Sequence, residues 1–218
     1  MKIALVCPYD ISYPGGVTSH VVQFAQHARK LGHEVTVIAP SSRKHDGIVN
    51  AGKAVPIPIK GGTVSRLALS FWNFPKIKRL FNKGKYDVIH IHEPGVPLLG
   101  LFALGYAPAE KSAIVATFHS NTQYNLLLKS YGRTMTVLKL SSLLNSKVDM
   151  RIAVSQTARK LPAFLASFSS SSIASSDSPG RPRANRMCRR NDEAWLAVHR
   201  SLPSIDQSFA RVSHSAAS

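Results

Sequence analysis

The chain has 218 residues, 44% of them hydrophobic, and a formal net charge of +17. That length suits one large domain, or one domain with an appendage, and two cysteines (Cys7 and Cys188) are too few for a disulfide framework or a zinc site. No apolar run reaches the roughly 18 to 20 residues of a membrane-spanning helix, and no leader-like segment precedes the first apolar run, so a cytoplasmic protein is expected.

Lys2 to Cys7 is a short, continuous apolar run, which predicts a strand buried on both faces, with Cys7 as a core residue. Pro8 ends it, and a loop runs from Tyr9 to Gly16. Val21, Phe24, Ala25, Ala28 and Leu31 recur at helical spacing, predicting a helix over Val17 to Leu31, with Gly32 placed to cap it. Glu34 to Ala39 completes a β-α-β unit. Further strands are expected at Ala54 to Ile59, Asp87 to Ile91, Ala113 to Phe118 and Arg151 to Val154. Helices are expected from Pro75, over Val96 to Leu104 and over Tyr131 to Lys147.

Strands alternating with helices predict an α/β fold with a doubly wound parallel sheet. Ligands bind such sheets outside the carboxyl ends of the strands. The loops at Tyr9 to Gly16, His92 to Gly95 and His119 to Thr122 should therefore line one rim. After Lys160 the periodicity stops. All 14 lysines lie at or before Lys160, whereas the last 58 residues hold 7 of the 14 arginines and 14 serines. The expected organisation is one domain over 1–160 and a low-complexity tail over 161–218. The tail is either disordered or translated out of frame, and the abrupt exchange of Lys for Arg and Ser favours the frame change.

Gly15 and Gly16 join the first strand to the first helix. Glycine lets backbone approach a ligand closely, and helix N-terminal amides bind phosphate, although a tight turn needing positive φ would also explain the pair. The loop matches neither the dinucleotide-binding nor the Walker A pattern. His90 and His92 alternate with Ile91 on one strand face. No neighbouring Cys/His cluster supplies further ligands, so the expectation is no metal, with His90 a core histidine and His92 and Glu93 bordering the cleft. His119 ends a strand at the rim, where an imidazole can hydrogen-bond a substrate hydroxyl or carry a proton. Lys76, Lys78 and Arg79 sit among Ile77, Leu80 and Phe81. That pattern fits either a helix lying on an anionic membrane or a solvated helix with its apolar side in the core.

Taken together, Tyr9 to Val21, Pro56 to Pro58 with Arg66, Val88 to Pro94, Val115 to Ser120 and Arg151 to Ser155 resemble glycosyltransferase family 4, most closely its phosphatidylinositol mannosyltransferases. The resemblance covers Met1 to about Lys160. It implies the N-terminal, acceptor-side half of a GT-B fold, in which two Rossmann-like domains face each other across a cleft. It implies a retaining transferase that takes a nucleoside diphosphate sugar as donor and needs no cofactor and usually no essential metal. It places Gly15 and Gly16 at the donor diphosphate, His119 at the transferred sugar as the catalytic residue, and Tyr9, Arg66 and Ser120 at the acceptor. It also makes Lys76, Lys78 and Arg79 a membrane-association surface, peripheral on the inner face of the plasma membrane.

There are departures from the pattern. The inositol-phosphate enzymes carry an asparagine where Gly61 stands and a lysine near Tyr124. The acceptor is therefore left open between phosphatidylinositol, another lipid and a small polyol phosphate. Nothing after Lys160 resembles the family's donor-binding half, so the chain as it stands is expected to be inactive. The alternative is a basic module that binds a membrane surface or nucleic acid without catalysis. No nucleic-acid recognition motif is present, so nucleic acid is not expected as a partner.

Overall fold

The computed structural model describes residues 1–58, 64–68, 72, 74–96, 98–119, 143 and 146–154. Six strands form one parallel sheet: β1 (Lys2–Val6), β2 (Glu34–Ala39), β3 (Ile48–Asn50), β6 (Val88–His92), β7 (Ala113–Phe118) and β8 (Met150–Ala153). Their order is β3-β2-β1-β6-β7-β8, which is the 3-2-1-4-5-6 order of a doubly wound Rossmann-like sheet. The two halves part between β1 and β6, so the crevice lies at the carboxyl ends of those strands.

Each strand sends alternate residues to opposite faces, and different helices cover the two faces. Ile3, Leu5, Cys7, Val88 and Val115 pack with Val21, Phe24, Ala25 and Ala28 of α1 (Gly16–Lys30). Ala4, Val6, Ile89, Ile91, Ala116 and Phe118 pack with residues of α2 (Phe74–Gly84) and α3 (Leu99–Tyr106). Val21, Phe24, Ala25 and Ala28 of the predicted apolar face thus meet the sheet, whereas Leu31 is the exposed C-cap residue. Gly32 adopts φ +83°, and the N–H groups of Gly32 and His33 bond back to Arg29 and Ala28. This is the left-handed stop expected there. At the far end of the domain, Lys147 donates through Nζ to the carbonyls of Gly105 and Ala107, placing a cation on the C-terminus of α3.

Two strands went unseen in the sequence, and one is placed differently. Ala54–Pro58 (β4) does not join the parallel sheet; it pairs antiparallel with β5 (Val64–Ala68) in a separate hairpin. Pro56 and Pro58 remove two ladder donors, which suits a two-stranded edge element better than a central strand. β3 is three residues long and only half-buried, too short to leave a pattern. Most of the helix expected over Tyr131 to Lys147, together with Ser120, Gly61, Tyr124 and everything after 154, lies outside the described residues. Among the described residues, no helix is long and apolar enough to cross a membrane.

Candidate active site

The loop after β1 is held from two sides. Asp10 is buried and accepts hydrogen bonds from the Ser12 N–H (2.9 Å), the Ser42 N–H (3.2 Å) and the Ser42 hydroxyl. Burial alone would push its carboxyl up, but these donors, the Ser42 hydroxyl foremost, outweigh it and hold the group below the ordinary carboxylate value. The network ties the β1–α1 loop to the β2–β3 loop. On the other side the hairpin docks through backbone. The Asp10 N–H donates to the Arg66 carbonyl and the Ala68 N–H to the Pro8 carbonyl, both at 3.0 Å, and Tyr9 bridges Leu67. That docking brings two predicted acceptor residues, Tyr9 and Arg66, to adjoining places. It also adds Tyr13, whose ring centroid lies 3.8 Å beneath the Arg66 guanidinium.

Helix α1 begins at the exposed end of this loop. Gly15 is its N-cap with φ −172°, extended backbone that any residue adopts, so a left-handed turn does not explain this glycine. No side chain caps the helix start and no acid lies in its first turn. The Thr18 hydroxyl lies 3.0 Å from the carbonyls of both Tyr13 and Gly15, pinning the loop to the helix. His20 follows Gly16 by four residues, about one helical turn and roughly 6 Å along the axis.

His20 faces the sheet and meets the histidines of β6 and β7. Because Val88 packs on the α1 side, His90 and His92 point there too. His90 is fully buried. Its Nε2 lies 2.6 Å from the Thr117 hydroxyl and its ring stands edge-on to Phe24, so it is the core histidine expected. His92 and Glu93 do not line an open cleft: both are buried, and they brace His119 from below. His92 Nδ1 is 2.9 Å from His119 Nε2, and the Glu93 carboxylate accepts the His119 backbone N–H at 2.7 Å. His119 itself is half-buried at the rim, with the His20 ring 5.0 Å away edge-on.

The turn that aims Glu93 is unusual. Glu93 has φ +49°, and its N–H bonds the Thr117 carbonyl across the strands. Gly100 makes room for it, since a Cβ there would lie 2.8 Å from the Glu93 carbonyl oxygen. Cys7 directly follows β1; burial pushes its thiol up to about 12, so it is inert as a nucleophile.

Sequence reasoning named Tyr9, Gly15, Gly16, Arg66 and His119. It missed Asp10, Tyr13 and His20, and it underrated His92 and Glu93. His20 stands four residues before Phe24, on the predicted core face of the helix. A histidine at such a position was the available signal.

The motifs and the topology agree with what known proteins show. Residues 14–161 match the model of Glycosyltransferase Family 4. The chain belongs to that family. The phosphatidyl-myo-inositol mannosyltransferase of Mycolicibacterium smegmatis is 42% identical over 163 residues, covering 73% of this chain and 40% of the relative. The protein of the same name from Propionibacterium freudenreichii is 32% identical over 168 residues, covering 72% of this chain and 42% of the relative. The alpha-monoglucosyldiacylglycerol synthase of Acholeplasma laidlawii is 30% identical over 128 residues, covering 57% of this chain and 30% of the relative. The chain spans about 40% of the length of the mannosyltransferases it matches.

The last predicted surface is α2. Phe74, Ile77 and Phe81 are buried against the sheet and α3, with the Phe74 and Phe102 rings stacked at 3.7 Å. Lys76, Lys78 and Arg79 are exposed. Lys76 Nζ reaches the Asn50 carbonyl at 3.3 Å, and Lys78 sits over the Tyr106 ring at 5.4 Å. The apolar side of this helix therefore belongs to the core.

Proposed function

We propose that residues 1–160 are the acceptor-side half of a retaining glycosyltransferase. It moves a sugar from a nucleoside diphosphate sugar to a lipid-linked or polyol-phosphate acceptor at a membrane surface. One observation carries the reading. His119 stands at the rim of the β1/β6 crevice, braced by His92 and Glu93, and its neighbour His20 lies one turn from the glycine start of α1. The uncapped helix start suits a diphosphate, whose charge it attracts and whose oxygens its amides can reach. His119 then contacts the transferred sugar. Tyr9 and Arg66, with Ser120 from the adjoining segment, hold the acceptor. The Arg66 guanidinium suits a phosphate-bearing head group through bidentate pairing. Relatives named for phosphatidyl-myo-inositol and for a diacylglycerol support a lipid acceptor, and no cofactor beyond the sugar donor enters this reading.

The membrane contact is electrostatic. Lys76, Lys78 and Arg79 contribute about 1 kcal/mol each near an anionic surface, and the adjacent Trp72, 90% exposed, suits the headgroup region. The composition change after Lys160 supports a domain boundary there, and resequencing the DNA across codons 160–169 tests whether the tail is in frame.

The deciding experiment is calorimetric titration of the 218-residue chain with myo-inositol 1-phosphate and with glycerol 1-phosphate. One of them binds, and Arg66→Ala weakens that binding about tenfold or more, the loss of a charge-assisted hydrogen bond. Equal binding by the parent and Arg66→Ala would refute the acceptor assignment. A basic module without catalysis is the competing reading, and it predicts sedimentation with anionic liposomes but no affinity for either head group.

A further inference from the structure

We propose that His20, His92 and His119 form a three-histidine site for a borderline transition-metal ion of the zinc class. Each residue offers one ring nitrogen, and the three nitrogens lie within 4.8 Å of one another. The ring centroids are 5.6 Å apart for His20 and His92, 5.0 Å for His20 and His119, and 5.2 Å for His92 and His119. The three residues come from three elements (α1, the end of β6, and the residue after β7), so they surround a point and do not merely line one face.

The geometry is close to what the ion needs. Three imidazoles and a water make a tetrahedral site with Zn–N of about 2.0–2.1 Å, which puts ligand nitrogens roughly 3.3 Å apart. His92 Nδ1 and His119 Nε2 are 2.9 Å apart, so they must open by a few tenths of an ångström. The His20 nitrogen lies within 4.8 Å of the other two, so its ring closes by at most about 1.5 Å to reach the ideal separation. A tautomer shift moves the proton between His92 and His119 to the other nitrogen of its own ring, which turns both facing lone pairs toward the ion.

The surroundings favour the same ion. His20 and His92 are buried, so most of the site is dry, while half-buried His119 leaves an entry path from the rim. The buried Glu93 carboxylate, which holds the His119 backbone, adds nearby negative charge to offset the cation. An all-nitrogen donor set selects Zn2+, Co2+, Ni2+ and Cu2+ over the oxygen-seeking Mg2+ and Ca2+. Ion capture does not depend on the sugar-transfer reading. Its consequence does: a bound ion ties His119 to His20 and His92 and holds it away from the sugar, which makes the site a reversible block.

The test is equilibrium binding of Zn2+, and of Co2+ as a coloured probe, to the purified 218-residue chain. One ion per chain binds, Co2+ gives the visible absorption of a four-coordinate site, and millimolar Mg2+ does not displace it. His20→Gln and, separately, His119→Gln each lose at least about tenfold in Zn2+ affinity, the lower bound set by losses from outer-sphere partners alone. Replacing His27, His33 and His45 by Gln changes nothing. Zn2+ raises the melting temperature of the parent and not of His20→Gln, while far-ultraviolet circular dichroism shows both folded without metal. The proposal is overturned by absent stoichiometric binding, by parental Zn2+ affinity in either single variant, or by loss of binding in the His27/His33/His45 variant.

Discussion

Two regions flank the crevice and are built by opposite means. On the sheet side, His90, His92, Glu93 and Thr117 are all buried, and their positions follow from parallel-strand register. On the hairpin side, Tyr9, Tyr13 and Arg66 are half-buried or exposed, held by a few backbone bonds and one cation–ring contact. The first region cannot change without disturbing the core. The second can change its side chains at little cost to folding. The comparison teaches that packing from both sides fixes the sheet-side groups, whereas an edge element leaves its side chains open to exchange.

Substitutions break this contrast in order of size. Phe24→Ala removes the ring that packs between His20 and His90, and it should cost about 3–5 kcal/mol in urea unfolding. A cost below about 1 kcal/mol would mean that the histidine face is not part of the core. Gly100→Ala places a Cβ against the Glu93 carbonyl, at about 1–3 kcal/mol. Hydrogen exchange at the His119 amide should quicken in the same variant, because the Glu93 carboxylate loses its aim.

Asp10→Asn sharpens the comparison through pH. The carboxyl is held below its unfolded value, so its stabilisation is present above about pH 3.9, the unfolded value, and is lost as pH falls through the folded one. The parent should exceed Asp10→Asn by about 1 kcal/mol near neutral pH, and the two curves should converge in acid. A constant gap at all pH values would remove the charge from the explanation. The smallest effect is on the hairpin side. Arg66→Ala should cost no more than about 1 kcal/mol of stability, the size of an exposed cation–ring contact. A cost several times larger would show that Arg66 holds the loop structurally.

The strongest sequence signals were those repeated along the chain. Lys2 to Cys7, Asp87 to Ile91 and Ala113 to Phe118 read as buried strands because both faces of the sheet are covered. The helix expected over Val17 to Leu31 was legible from its 3.6-residue period, and the structure has it over Gly16–Lys30. The β4–β5 hairpin was not, because prolines in β4 and half-exposed positions in β5 leave neither alternation nor a continuous apolar run. For α2 the pattern allowed a membrane face or a core face, and only the packing of Phe74, Ile77 and Phe81 under the sheet decided it.

The amino-acid order alone determined the α/β class, the parallel sheet, the rim loops and His119 as a group at a strand end, since these depend on local period and length. Only the tertiary structure decided which distant residues meet. His20 and His119 are 99 positions apart in the chain, yet their rings lie 5.0 Å apart. Arg66 reaches Tyr13 across a hairpin that no period announces. Local propensity acts within a few residues, whereas the crevice arises where strand order reverses, and that reversal is a property of the assembled sheet.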